Sequence, residues 1–366
     1  MIKWCKLCVL PDTRPNLKFN KDGICSSCIN HLEKKKINWQ YRRKIFLKFV
    51  KNAKSKSHTY DCLIPVSGGK DSTWQVLKAQ EYGLKVLTFT WKTPFRTKIG
   101  EKNLKNLIDL GVDHIEWTIN PKVEKIVMKE TFKTKGSTAI SMHAAIINLP
   151  IQIATKFKIP LILWGENSSY EYGDDKNSDK NFILNKKWVR KYGVTNNANI
   201  KKIILKKSKK NFSNSYEIYT SKNKSTVKSI FLGHFFEWDP EKIMKHVIKK
   251  GFKIGKKAEV GFYKYADIDD NCIMPIHHWL KYYKFGFTRE FDNLSLEIRN
   301  DRITREKAIT ILKKNKFGPP SQAIKKFCKY YELKEKEFFR IAKKFINKKI
   351  WKINSNGKIV HRKNLF

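Results

Sequence analysis

The stretch LIPVSGGKDSTW, residues 63–74, runs from apolar residues into a glycine pair, a lysine, an aspartate and hydroxyl side chains. A Walker loop needs four residues between its glycines and a Lys-Ser or Lys-Thr at the helix start, so this is a different device. Ser67, Gly68, Gly69, Lys70, Asp71 and Ser72 stand between a short buried strand and a helix, where free backbone N–H groups and the helix dipole favour an anion. The glycines let the backbone approach phosphate oxygens or take positive φ, and the serines add hydroxyl donors. That is the chemistry of a phosphate or pyrophosphate cradle. A second chemical cluster opens the chain: Cys5, Cys8, Cys25 and Cys28 form two CxxC pairs sixteen residues apart, with Pro11, Asp12, Pro15, Asp22 and Gly23 as turn formers between them. This is zinc-ribbon spacing for Zn2+, with a redox pair or an iron–sulfur centre as the alternative. Four thiolates leave no open coordination position, so the expected role is folding or docking rather than catalysis. Cys62, Cys272 and Cys328 are isolated, and Cys62, in an apolar strand, reads as a small core residue.

These groups need a frame. DCLIPV reads as a buried strand, GGKDS as a turn, and TWQVLKAQEYG as a helix closing at Gly83. KVLTFTW, EKNLKNLIDLG and HIEWTI follow as strand, helix and strand; ISMHAAIINLPIQIATKF is helical, and PLILWGEN is a further buried strand. Strands alternating with helices predict an α/β fold with a doubly wound parallel sheet. The divisions expected are a zinc ribbon over 1–35, a linking helix over 36–58, a nucleotide-binding domain over 59–265 and a helical module for substrate or partner over 266–366. A polar, lysine-rich insertion is expected at about 171–229, around KKSKKNFSNS.

At 366 residues, 41% of them hydrophobic, the chain can fill real cores. No apolar run approaches a membrane span, and MIKWCKLC lacks the apolar core of a signal peptide, so a cytoplasmic protein is expected. The formal charge of +44 points to a polyanion, to acidic small molecules such as sugar nucleotides, or simply to A/T-rich codons, which favour lysine, asparagine and isoleucine together.

The string SGGKDS after such a strand resembles the PP-loop of the N-type ATP pyrophosphatases, which split ATP between the α and β phosphates. The resemblance implies ATP and Mg2+ as cofactors, the pyrophosphate end held by the loop, and adenosine at the end of the next strand, Thr88, Phe89 and Thr90. More of the chain is similar to the N-acetyl sugar amidotransferases of O-antigen and nonulosonate biosynthesis: WCKLCVLPDTRP with ICSSC, IPVSGGKDST, IPLILWGENSSYEYG, MPIHHWLKYYKFGFTR and LEIRNDRITREKAI. FTREFDN and the lysine-rich insertion depart from that pattern. This likeness implies Lys70, Asp71 and Glu166 as catalytic residues, with Gly165 and Asn167 facing the same crevice. It also implies substrate contacts from His143, His277, His278, Lys281, Lys284 and Arg289, whose alternatives are a core histidine and a plain helix surface. Asp267, Asp269 and Asp270 attract Mg2+ or form a solvated turn. The implied reaction adenylates the oxygen of an N-acetyl group on an acidic sugar or sugar nucleotide, and ammonia then displaces AMP. The chain carries no cysteine in a glutaminase setting, so a separate glutaminase subunit is the expected partner, docking plausibly on the cysteine module. A tRNA-modifying PP-loop enzyme is the other reading, and it would suit the positive charge.

Overall fold

The computed structural model describes residues 2–173, 182–193, 199–207, 226–315, 317–355 and 359–362. Most of the expected insertion, with the lysine-rich stretch from Ser208 onward, lies outside the described residues.

Five parallel strands form the centre: β1 (Cys62–Pro65), β2 (Val86–Trp91), β3 (Asp113–Trp117), β4 (Leu161–Trp164) and β5 (Lys228–Phe231), in the order β3-β2-β1-β4-β5. The four apolar runs read as strands are β1 to β4, β5 falls where no strand was expected, and β2 is buried along its whole length, as a sheet covered on both faces requires. The chain winds outward from β1 to β3, then returns to add β4 on the other side of β1. The strand order therefore reverses between β1 and β4, and the loops after these two strands flank a crevice of the kind that binds ligands in such sheets.

The helices are α1 (Ser26–Lys34), α2 (Trp39–Lys56), α3 (Lys70–Glu81), α4 (Lys98–Ile108), α5 (Pro121–Lys135), α6 (Ile140–Lys156), α7 (Ser168–Glu171), α8 (Lys186–Tyr192), α9 (Ile200–Lys207), α10 (Pro240–Ile248), α11 (Ile273–Phe285), α12 (Arg289–Arg299), α13 (Arg305–Lys314), α14 (Ser321–Tyr331) and α15 (Glu335–Lys343). One sheet face carries α2, α3, α4 and α10 through Phe46, Val76, Leu107 and Val247. The other carries α5 and α6, and beyond them α11, α14 and α15, so the C-terminal helices share a core with the sheet rather than forming a detached unit. A third core joins the cysteine module to α11, α12 and α13. The C-terminal region is helical with one exception: Trp351–Ile353 and Ile359–His361 pair as an antiparallel hairpin. Apart from Lys352 both segments are aromatic or β-branched, and the Trp351 ring lies 4.8 Å from Tyr282, which anchors the hairpin on α11. Among the described residues no helix is long and apolar enough to cross a membrane.

Candidate active site

The phosphate-cradle sequence occupies the β1–α3 junction. Gly69 is the N-cap of α3 and brings no side-chain cap, which leaves the first-turn amides for a ligand. The carbonyls are tied away from that opening: Ser72 Oγ and Thr73 Oγ1 each donate to Gly69 O at 3.0 Å, and Arg96 Nη1 donates to Ser67 O at 2.9 Å. Gly68 has φ +85°, and a Cβ there would meet the Leu104 backbone nitrogen at 2.6 Å, so only glycine lets this loop lie on α4. Lys70 Nζ pairs with Asp71 Oδ1 at 2.5 Å.

The loop opens into a cavity of about 140 Å³ lined by Ser67, Gly69, Lys70, Asp71 and Ser72, by Glu166 beyond β4, and by Asp267, Asp269 and Arg289 from the C-terminal region. Its carboxylates are crowded. Burial, and then Asp71, push Glu166 up to about 7; burial, and then Asp267, push Asp269 up to about 6. Asp267 Oδ2 is buried without a hydrogen-bond partner, with Arg289 Nε 3.3 Å away. Asp71, Glu166, Asp267 and Asp269 are side chains of the type that holds a hard divalent cation, but among the described residues they line the cavity without gathering around one point as the four N-terminal cysteines do. Asp270 differs from its neighbours. Its Oδ1 accepts from the amides of Cys272, Ile273 and Met274, and its Oδ2 accepts from Thr93, so it caps α11.

A second cavity of about 280 Å³ lies next to the first, and Tyr172 lines both. Arg14, Lys191, Lys281 and Lys284 line it with His277, Phe285 and Phe287, and among the described residues no carboxylate does. Behind its wall Asp292, 2% exposed, takes Arg14 Nε at 3.0 Å and Lys281 Nζ at 2.7 Å. Burial favours the neutral acid, but Lys281 and Arg14 overcome it and hold Asp292 well below the usual carboxylate range. Burial lowers Lys281 to about 8 in spite of this partner.

The residues named from sequence thus fall into several groups. Ser67, Gly69, Lys70, Asp71, Ser72, Glu166 and Arg289 meet at the first cavity, and His277, Lys281 and Lys284 at the second. His278 is buried, its Nε2 3.9 Å from Asp267 Oδ2, and His143 Nδ1 donates to Ala139 O within α6. Asn167 is buried and caps α7, while Gly165 packs beneath Gln75 and Trp238. Thr88, Phe89 and Thr90 are buried with their side chains engaged: Thr88 Oγ1 donates to Asp113 O, Thr90 Oγ1 to Val66 O, and Phe89 is in the core. What β2 has for a nucleoside is therefore backbone at its carboxyl end. Sequence reasoning did not single out Arg14, Tyr172 or Asp292. Each lies in a stretch noted for other reasons, and only tertiary packing brings them together.

Cys5, Cys8, Cys25 and Cys28 are buried, and their sulfurs all lie within 4.8 Å of one another. The Cys8–Cys25 and Cys5–Cys28 separations, 3.6 and 3.9 Å, bracket the spacing of about 3.8 Å that tetrahedral Zn–S bonds of about 2.3 Å demand. Amides of Cys8 and Cys25 donate to Cys5 Sγ, as metal-bound knuckles do. Four thiolates around a divalent ion carry excess negative charge. Arg299, buried with both terminal nitrogens unpartnered, and Arg305, whose Nε donates to the carbonyls of Cys5 and Cys8, are the basic groups beside them. The site suits a structural metal, and zinc fits it.

Residues 259–364 match the family described as "LPS biosynthesis protein WbpG-like, C-terminal domain". That segment supplies Asp267, Asp269, Lys281, Lys284, Arg289 and Asp292, and so contributes to both cavities. Comparison with curated proteins gives no match. Among solved structures, NMN synthetase from Francisella tularensis is similar at 12% identity, covering 74% of this chain and 94% of that one, with a TM-score of 0.31.

Proposed function

We propose that this protein is an ATP-dependent, AMP-forming amidotransferase of surface-polysaccharide biosynthesis, acting on the N-acetyl group of an anionic sugar or sugar nucleotide. The observation that carries the reading is the pair of adjoining cavities, one with an uncapped helix terminus and carboxylates, the other lined among the described residues by cations without a carboxylate. The match of residues 259–364 to an LPS-biosynthesis domain supports the class of acceptor.

In this reading the first-turn amides of α3, Ser67, Ser72 and Lys70 hold the phosphates of ATP, and carboxylates from among Asp71, Glu166, Asp267 and Asp269 would hold Mg2+ that enters with them. An ion held there would supply charge neutralisation for the phosphates. The amide oxygen of the N-acetyl group attacks the α-phosphorus, and the bond to pyrophosphate breaks. Ammonia then attacks the amide carbon, the carbon–oxygen bond to AMP breaks, and an acetamidino group remains after proton loss. An amide oxygen is a poor leaving group and AMP a good one, which is why the first step is needed. Catalysis comes from positioning and preorganised charge, with no covalent enzyme intermediate. Arg289, in the loop cavity beside Asp267, is placed to steady charge on the transferred phosphorus. The cations of the second cavity hold the acceptor's carboxylate or phosphates. Ammonia comes from a separate glutaminase subunit.

The test is AMP release by the full chain with ATP, Mg2+, ammonium and a panel of N-acetylated sugar nucleotides and sugar acids, set beside bulk tRNA. AMP release that follows an N-acetyl sugar is the expected result. AMP release that needs tRNA and ignores every sugar overturns the reading in favour of a tRNA-modifying enzyme.

A further inference from the structure

The spacer between the two cysteine pairs, residues 9–24, contains only two isolated bridges and no helix, and the cysteine knuckles hold both its ends. It nevertheless touches the second cavity at consecutive points. Thr13 Oγ1 donates to Phe285 O at 2.5 Å, and Asn16 Nδ2 donates to Lys191 O at 3.3 Å. Between them Arg14 donates Nε to Asp292 and Nη1 to Tyr172 O at 3.1 Å, with its guanidinium 4.8 Å from the Tyr172 ring and 5.4 Å from that of Phe287. Its Nη2 makes no hydrogen bond among the described residues, and Arg14 lines the cavity. Asp292 is shared by two cations, Arg14 and Lys281, so among the described residues this group carries one positive charge in excess. The module also braces the chain just beyond Glu166. Asn30 and Tyr170 exchange two hydrogen bonds, Lys34 pairs with Glu171, and Gly173, at φ +96°, lies against Leu17, Ser26 and Ser27.

We propose that the cysteine module is a structural wall of the anion cavity: Arg14 contacts the anionic group of the acceptor, and metal held by the four cysteines fixes where Arg14 stands. The module's expected role as a fold element or dock is thereby extended to substrate recognition. The inference rests on the reading of the second cavity as the acceptor's, but binding tests it without turnover. Failure of AMP release therefore leaves it standing, and failure of anion binding leaves the adenylation reading standing.

The experiment titrates UDP-N-acetylglucosamine and N-acetylneuraminic acid, as pyrophosphate and carboxylate probes, into zinc-loaded full-length protein, and ATP with Mg2+ separately. Arg14→Met weakens the better probe about 10- to 100-fold, the range for losing a charge-assisted hydrogen bond, and Arg14→Lys recovers part of it. ATP affinity stays within about threefold, as an effect confined to the second cavity requires. Zinc stoichiometry and the cobalt-substituted thiolate absorption of each variant show whether the module is intact. Chelator-stripped protein loses probe binding in the same way, and hydrogen exchange at 168–173 accelerates while 62–91 keeps its protection. If Arg14→Met retains its metal and its probe affinity, or if stripped protein binds the probe as the loaded protein does, the inference is wrong. It is equally wrong if neither probe binds wild-type protein.

Discussion

The two cavities meet at Tyr172 and are built on opposite electrostatic principles. The loop cavity sets carboxylates beside backbone donors and the side chains of Lys70 and Arg289. The neighbouring cavity is lined among the described residues by cations, with the carboxylate of Asp292 behind its wall. Burial treats them symmetrically, driving Glu166 upward and Lys281 downward, each toward its neutral form. The lesson is that a net charge of +44 says little about where an anion binds, whereas a short list of unpaired buried groups says a good deal.

The contrast breaks most visibly in the loop cavity. Asp71→Asn keeps the shape of the loop and removes one carboxylate from the proposed ion set, and AMP formation should fall about 10²- to 10³-fold with any acceptor. An initial-rate assay that finds less than a tenfold loss would remove Asp71 from the chemistry. Lys281→Met acts on the other side: the acceptor KM should rise about 10- to 100-fold while the ATP KM holds, with a thermal melt to check that Asp292 tolerates its loss. A matched rise in both constants would mean the cavities do not divide nucleotide from acceptor. Glu166→Gln is gentler. It should raise the Mg2+ concentration for half-maximal rate about tenfold and leave acceptor affinity alone, on the estimate for a single charged ligand.

How far these residues could be read from sequence follows from how local their placement is. SGGKDS is contiguous, so strand, turn and helix start were legible together, and the parallel sheet was legible from apolar runs alternating with helices. His277, Lys281 and Lys284 were named only through the family resemblance, together with His278, although spacings of four and three put those three on one side of α11. His278 is one residue round the helix and faces inward, which spacing alone does not settle. Arg289 goes to the loop cavity because the chain turns at Gly286, φ +78°, before α12 begins. Arg14 and Tyr172 sit in turn-rich and aromatic stretches with no local signal. They meet only because the cysteine module packs on residues 170–173. The hairpin near the C-terminus was hidden for a related reason: its strands are three residues long and take their order from packing on Tyr282.

The smallest expected effect is also the one that addresses both cavities in a single measurement. Acceptor-dependent kcat/KM reports ionisations of the free enzyme. Glu166, raised to about 7 by burial and then Asp71, is fully anionic only above that pH, so the rate falls on the acid side as the proposed ion set gains a proton. Lys281, lowered to about 8 by burial against the pull of Asp292, is fully cationic only below that pH, so the rate falls on the alkaline side as the acceptor cavity loses a charge. The profile should therefore be a narrow bell between about 7 and 8. Lys281→Arg keeps the charge at any pH of interest, because a guanidinium does not titrate there, although its fork fits the Asp292 contact differently. At pH 7.5 the cost should be modest, within about tenfold on that ground. The diagnostic change is in shape: the alkaline limb should move out beyond pH 9 while the acid limb stays in place. Glu166→Gln should do the reverse. If one substitution moved both limbs, the two groups would titrate as a coupled pair, and the partition of the site at Tyr172 would be electrostatically leaky.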